Sequence, residues 1–130
     1  VHIRVWQRSM VDQWTGRSRL MVTRQTATHA QAGFLPQLSL TQPLGAVSSQ
    51  YLDQKKQNLA LAIQQLQNVV IFPGQIFSFW YLVGKPTAKA GYVEGRTITG
   101  ETLATSVGGG LCQLSGMVYF LALKSGLTII

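Results

Sequence analysis

The sequence predicts one α+β domain: a small mixed or antiparallel sheet packed against two main helices, with a glycine loop that leads into a buried helix. Apolar residues at helical spacing over 51–69 and again over 111–124 predict the two helices. Short β-favouring runs lie between them and form no repeating βαβ unit, which favours an α+β arrangement. The 130 residues are enough for one domain with a real core.

Residues 1–47 are interpreted as a basic arm and connector, and residues 48–130 as the domain proper. Apolar residues at helical spacing predict a short amphipathic helix in the arm: Ile3, Trp6, Met10 and Trp14. Such a helix could lie on a membrane surface, but two tryptophans on one stripe favour docking on the domain's own core. Pro36, Pro43 and Gly45 then predict an extended connector.

Positive charge is concentrated in the same arm. Eleven Lys and Arg against four Asp and Glu give a net charge of +7, and Asp12 is the only acid in the first 24 residues. The arginines of the arm are Arg4, Arg8, Arg17, Arg19 and Arg24. Two interpretations stay open: an anionic surface or partner protein bound by these arginines, or a solvated face whose balancing acids lie elsewhere in a longer protein. No recognition motif accompanies the basic residues, so nucleic acid is not a predicted partner.

The strongest helical pattern runs from about residue 49 to residue 69. Its apolar stripe is predicted to pack on the rest of the domain and consists of Leu52, Leu59, Ile63, Leu66 and Val70. Lys55 is assigned to another face of the helix. Asn58 falls close to the apolar side, where a buried asparagine is expected to hydrogen-bond a loop.

The middle of the chain carries the β-favouring runs. Residues 69–72 form one such run, which Pro73 and Gly74 close with a turn. Alternating aromatic residues over 77–81 predict a strand with Phe77 and Phe79 in the core. Residues 95–103 predict a hairpin with Gly100 at its bend, and residues 127–130 form a last β-favouring run.

Gly108, Gly109 and Gly110 precede Cys112, the only cysteine of the chain, and an apolar helical pattern follows them. A glycine run permits positive φ, so at least one of the three is expected to adopt it. Cys112 is expected in the first turn of the following helix, where unpaired N–H groups and the helix dipole favour a thiolate. One cysteine excludes an internal disulfide framework and any multi-cysteine metal site.

Four stretches, in order, resemble the VanW family, which takes its name from vancomycin resistance of the B type. They are Lys56–Ala62, Phe72–Trp80, Gly91–Gly95 and Gly108–Ser115. The resemblance covers about residues 48–130 and implies a role in cell-envelope, peptidoglycan or glycopeptide-resistance biology. It also implies that family members continue past the signature that contains Cys112. It implies no defined biochemical activity, so whether the protein is an enzyme stays open.

Each candidate residue has a functional and a structural interpretation. Cys112 with Gln113 could perform acyl transfer, with the Gln113 amide as a donor to a reacting carbonyl, or Cys112 could be a small buried apolar residue. His2 and His29 are the only histidines and both precede it. Gly108, Gly109 and Gly110 could bind an anion or allow a tight crossing beneath another strand. Trp80, Tyr92 and Glu94 could bind a ligand, whereas such aromatic residues usually belong to a core.

The leading prediction is therefore a VanW-like protein that acts on or near a peptidoglycan-related ligand, through a cysteine-centred acyl-transfer site or as a noncatalytic binding module. The alternative is a docking subunit that attaches by its basic N-terminus to an anionic surface or larger assembly. No cofactor or metal is predicted, since the sequence holds no phosphate-loop pattern and no spaced metal ligands. The chain shows no signal peptide and no apolar run of membrane-spanning length, which favours a cytoplasmic or membrane-peripheral location.

Overall fold

The elements of the fold follow the predicted order of helix, hairpin and helix. The computed structural model describes residues 10–23, 37–44, 49–99 and 102–130, and they form a small α+β fold. The main helices are α1 at Ser49–Leu66, α2 at Phe79–Val83 and α3 at Leu111–Lys124, and the strands are β1 at Glu94–Thr99 and β2 at Thr102–Val107. Residues 10–14 are also helical, and 3₁₀ turns lie at Arg17–Leu20 and Ala88–Ala90.

Helix α1 is the longest described helix, as its apolar pattern predicts, and Leu66 of the predicted stripe packs against the core. The most deeply buried residues of the helix nevertheless lie beside that stripe. Asn58 and Ala62 are fully buried, whereas Ile63 of the predicted stripe is 45% exposed. The buried face is centred on small and polar side chains because the hairpin and the loop before it approach α1 closely there. The predicted end at residue 69 was three residues too long, since Leu66 ends the helix and Asn68 has a φ of 61°.

Strands β1 and β2 form an antiparallel hairpin, which confirms the predicted hairpin and extends it to Val107. Glu94 pairs with Val107 at its open end, and Thr99 pairs with Thr102 at its closed end. Arg96 in β1 lies 5.3 Å from the ring centre of Tyr51 in α1, which links the hairpin to that helix. The bend predicted at Gly100 lies outside the described residues.

Residues 79–83 form helix α2, so the predicted strand over 77–81 is wrong. The Ser78 hydroxyl accepts a hydrogen bond of 3.4 Å from the Tyr81 N–H, which caps the helix, and Gly84 follows its last residue with a φ of 73°. Local capping therefore prevailed over the alternation of aromatic residues. The runs 69–72 and 127–130 also form no strand, although the turn predicted at Pro73 and Gly74 is present.

The core contains one buried side chain from each of the three main helices and one from the segment before the hairpin. Ala62 of α1, Val83 of α2, Tyr92 before β1 and Leu111 of α3 are buried together. Phe79 packs against this cluster, as predicted for it. Burial of these apolar side chains is the largest favourable contribution to such a fold.

Helix α3 is fully buried only at its first residue and is half-buried over much of its remaining length. Leu111 is buried and Leu114 packs against the core, but the later aromatic residues Tyr119 and Phe120 are exposed. The helix therefore differs from the predicted buried helix beyond its first turns. None of the helices in the described part of the chain combines the length and apolar character that a membrane crossing requires.

The N-terminal segment joins the fold through a short parallel bridge between Met21 and Ile76. The Val22 N–H donates to the Ile76 carbonyl at 3.0 Å, and the Val22 side chain is fully buried. Trp14 is 94% exposed, so the expectation that the tryptophan stripe docks on the core is wrong for this residue. Ile3 and Trp6, the first two residues of the predicted stripe, lie outside the described residues.

Candidate functional site

Residues Gly108–Gly110, called the glycine turn below, connect strand β2 to helix α3. Gly108 has a φ of 86° and Gly110 a φ of 98°, which confirms the predicted positive φ. The Gly108 N–H donates to the Val93 carbonyl at 3.0 Å and so closes the base of the hairpin. Because a side chain resists these backbone angles, two of the three positions favour glycine on conformation alone.

The glycine turn also lies against three other parts of the chain. A Cβ at Gly109 would stand 2.3 Å from the carbonyl carbon of Gly95 in β1. One at Gly108 would stand 2.6 Å from the Cβ of Pro86, and one at Gly110 would stand 2.7 Å from the Cγ of Lys55. Real Cβ atoms do not approach so closely, so the tight crossing considered for this run is present in the structure.

Asn58 of helix α1 ties the glycine turn to the start of the hairpin. Its Nδ2 donates to the Val93 carbonyl at 3.0 Å and to the Gly109 carbonyl at 3.1 Å. Its Oδ1 accepts the Val93 N–H at 2.9 Å. The side chain is fully buried and both amide hydrogens are used, which confirms the expectation that it bonds a loop.

Two side chains hold the connector over the same region. The Lys55 ammonium donates to the Leu44 carbonyl at 2.6 Å, and the Gln113 amide donates to the Pro43 carbonyl at 2.9 Å. Lys55 lies off the predicted apolar stripe, and the sequence carries no sign of its contact with residue 44. Its stem passes over Gly110, a contact that no helical spacing could show. One N–H of the Gln113 amide is thus committed to the protein's own backbone.

Cys112 is exposed and is the second residue of α3, in the first turn as predicted. The neighbouring N–H groups have partners in the glycine turn: Leu111 donates to the Gly108 carbonyl at 3.4 Å, and Gln113 donates to the Gly110 carbonyl at 3.1 Å. His2 and His29, the two histidines of the chain, lie outside the described residues. The catalytic role of Cys112 and Gln113 stays a prediction.

The other candidate ligand-binding residues differ in exposure. Glu94 is exposed at the start of β1, opposite Val107, the residue that precedes the glycine turn. Trp80 is 37% exposed and stacks edge-on with Phe79 at 5.0 Å between ring centres. Tyr92 belongs to the core, and burial raises the pKa of its phenol. Ligand binding by these three residues and by the glycines stays a prediction.

Two further features concern the rest of the molecule. In the described ranges no three His, Cys, Asp or Glu residues are placed to hold a metal ion together. A cavity of about 260 Å³ lies where the N-terminal segment meets residues 76–79, and Asp12, Arg17 and Ile130 contribute to its lining. The glycine turn contributes no residue to that cavity.

The fold and the site define a small α+β domain in which a buried asparagine and a glycine turn fix an exposed cysteine at a helix start. The family model described as VanW like protein matches residues 54–130. The chain therefore belongs to the VanW family. The boundary predicted at residue 48 stays a prediction.

Two curated relatives resemble the chain. The vancomycin B-type resistance protein VanW of Enterococcus faecalis is 40% identical over 80 residues, which are 62% of this chain and 29% of that protein. The uncharacterized protein YoaR of Bacillus subtilis is 33% identical over 93 residues, which are 69% of this chain and 31% of that protein. The chain thus spans about three tenths of the length of these relatives. No solved structure matches the chain.

Proposed function

We propose that this chain is a binding domain of the bacterial cell envelope that recognises a peptidoglycan-related or glycopeptide ligand without forming a covalent bond to it. Support for the envelope comes from the family and from a relative whose name refers to vancomycin resistance. The ligand would contact the surface at the glycine turn, where the Glu94 carboxylate and Cys112 are exposed at its two ends.

The observation that carries a noncatalytic role is the hydrogen bonding beside Cys112. An acyl-transfer site needs a base for the thiol and donors aimed at a developing oxyanion. The backbone N–H groups of Leu111 and Gln113 donate to glycine carbonyls, and the Gln113 amide donates to the Pro43 carbonyl. Donors already bound within the protein would have to break those bonds before they could stabilise a reacting carbonyl. A surface that binds a ligand has no such requirement.

Calorimetric titration of the purified chain with soluble peptidoglycan stem peptides, and separately with vancomycin, tests the proposal. Glu94→Gln removes a carboxylate that can accept from amide or ammonium groups, and we expect it to weaken binding about tenfold. Asp53→Asn is the matched control, because Asp53 is another exposed carboxylate, on α1, paired with Lys56 at 3.5 Å. Cys112→Ser keeps a small polar group at the contact surface, so we expect it to change the affinity much less than Glu94→Gln does. Absence of binding to both ligands, or equal affinity of the Glu94 and Asp53 variants, would contradict the proposal.

A cysteine-centred acyl transferase is the second candidate, and the exposure of Cys112 at the start of a 14-residue helix favours it. It predicts that iodoacetamide alkylates Cys112 faster than a free thiol at neutral pH, and that a peptide thioester leaves an acyl group on the sulfur. Alkylation no faster than that of a free thiol between about pH 6 and pH 9 would exclude this mechanism. Loss of turnover in Cys112→Ser with unchanged ligand affinity would favour it over the binding domain.

A further inference from the structure

Residues 10–14 expose the apolar face of their helical turn. Trp14 is 94% exposed, Val11 50% and Met10 45%. Positions three and four apart are neighbours on a helix, so these three side chains share one face. A nearly fully exposed tryptophan is uncommon because its large apolar surface is normally covered.

The acidic residue of this segment is buried, whereas its basic residues are exposed. Asp12 is 7% exposed and points away from the tryptophan face, since a helix places it almost opposite Met10 and Trp14. Arg17 and Arg19 follow in the 3₁₀ turn and are both exposed, as is the apolar Leu20. The surface of residues 10–20 therefore carries apolar side chains and positive charge, while its single acid is buried.

We propose that residues 10–20 dock on an anionic lipid surface, with Trp14 inserted among the headgroups and Arg17 and Arg19 against lipid phosphates. Tryptophan is favoured at the membrane–water interface, and exposed arginines are attracted by anionic headgroups. The exposed apolar face favours lipid over a soluble polyanion, which offers charge but no apolar layer. The surface precedes residue 54, where the family match begins, so this inference does not depend on the proposed ligand.

Co-sedimentation of the whole chain with vesicles tests the proposal. One set contains phosphatidylglycerol and phosphatidylcholine, and the other contains phosphatidylcholine alone. Binding is expected to the anionic set only and to fall as salt rises, because ions screen the arginines. Trp14→Ala should weaken it about tenfold. The double change Arg17→Gln with Arg19→Gln should weaken it about thirtyfold.

Matched controls distinguish binding through this surface from nonspecific apolar or electrostatic binding to vesicles. Phe72→Ala removes another half-exposed aromatic side chain, and Lys85→Gln with Lys89→Gln removes two other exposed positive charges. Both controls should bind vesicles as the parent does, and urea unfolding should show that every variant is folded. Equal binding by parent and Trp14→Ala would overturn the proposal. So would retention on soluble polyphosphate without retention on anionic vesicles, which would identify a polyanion-binding surface instead.

Discussion

Replacing Asn58 by alanine should be among the most damaging single changes that the described fold can undergo. The substitution removes two donors and one acceptor from a fully buried position. It leaves the Val93 N–H and the Gly109 carbonyl without these partners, and it leaves the Val93 carbonyl with the Gly108 N–H alone. The bond to Gly109 is buried and the two bonds to Val93 are partly buried. The hairpin, the glycine turn and α1 lose their common link at once.

The magnitude follows from those contacts. Each net hydrogen bond contributes about 1 kcal/mol, and buried groups left without partners add their desolvation cost, so we expect a loss of about 3–5 kcal/mol. At a urea dependence of about 1.5 kcal/mol per molar, the unfolding midpoint should fall by roughly 2–3 M. Asn58→Asp should be similarly destabilising at neutral pH, because a carboxylate would face two carbonyl oxygens. Its penalty should shrink in acid, since a protonated carboxyl regains one donor.

Urea unfolding followed by far-UV circular dichroism measures the effect. Gln57→Ala is the control: the neighbouring amide donates to the Gly91 carbonyl at 3.1 Å, but in an exposed position. We expect that variant to lose no more than about 1 kcal/mol. A loss below about 1 kcal/mol for Asn58→Ala, or losses of the same size for both variants, would refute the assignment of Asn58 as the central link.

The remaining predictions concern the glycine turn and the core. Gly109→Ala should lower the free energy of unfolding by about 3 kcal/mol or more, because its methyl group would meet strand backbone. Gly116→Ala should raise it by about 0.5–1 kcal/mol, since Gly116 lies in mid-helix with open space around it. Equal shifts in urea midpoint for the two variants would contradict the crossing geometry. The raised pKa of Tyr92 means that its stabilisation is complete below the unfolded value of about 10 and is lost as pH rises through the folded value. The urea midpoint of Tyr92→Phe should therefore decline less than that of the parent above about pH 10. Tyr81→Phe, which changes a half-exposed tyrosine, is the control. Parallel curves for the parent and Tyr92→Phe would refute the assignment of this pH dependence to Tyr92.

The sequence predicted well those parts of the fold that depend on local pattern. Apolar spacing located α1 and α3, and the glycine run marked the start of α3 within one residue. Alternation in residues 95–103 identified the hairpin, since a bend and flanking β-favouring residues lie close together in sequence. These features need no knowledge of what lies opposite them.

Errors arose where tertiary contacts or capping decided the outcome. The strand predicted over 77–81 is a helix because the Ser78 side chain caps it, and a serine before an apolar run was the signal available. The centre of the buried face of α1 was misjudged because a polar residue, Asn58, occupies it. Exposure of Ile63 follows from the same shift. Periodicity averages over several apolar residues and gives little weight to one amide.

The candidate site was predicted in part. The place of Cys112 and the positive φ of the glycine turn followed from local rules. The roles of Lys55 and Gln113 as holders of residues 43–44 did not, since each joins segments far apart in sequence. The sequence could not supply those distances, so the bond from the Gln113 amide to residue 43 is visible only in the structure.

The bond from the Val93 N–H to Asn58 gives the protein a built-in reporter of one particular motion. Exchange of a backbone amide with deuterated solvent requires that its hydrogen bond open. Fraying of the two strands breaks ladder bonds but leaves this amide on a side chain 35 residues away. Only separation of α1 from the hairpin releases it. Protection of Val93 against exchange therefore measures the free energy that holds the helix to the glycine turn, separately from the stability of the strands themselves.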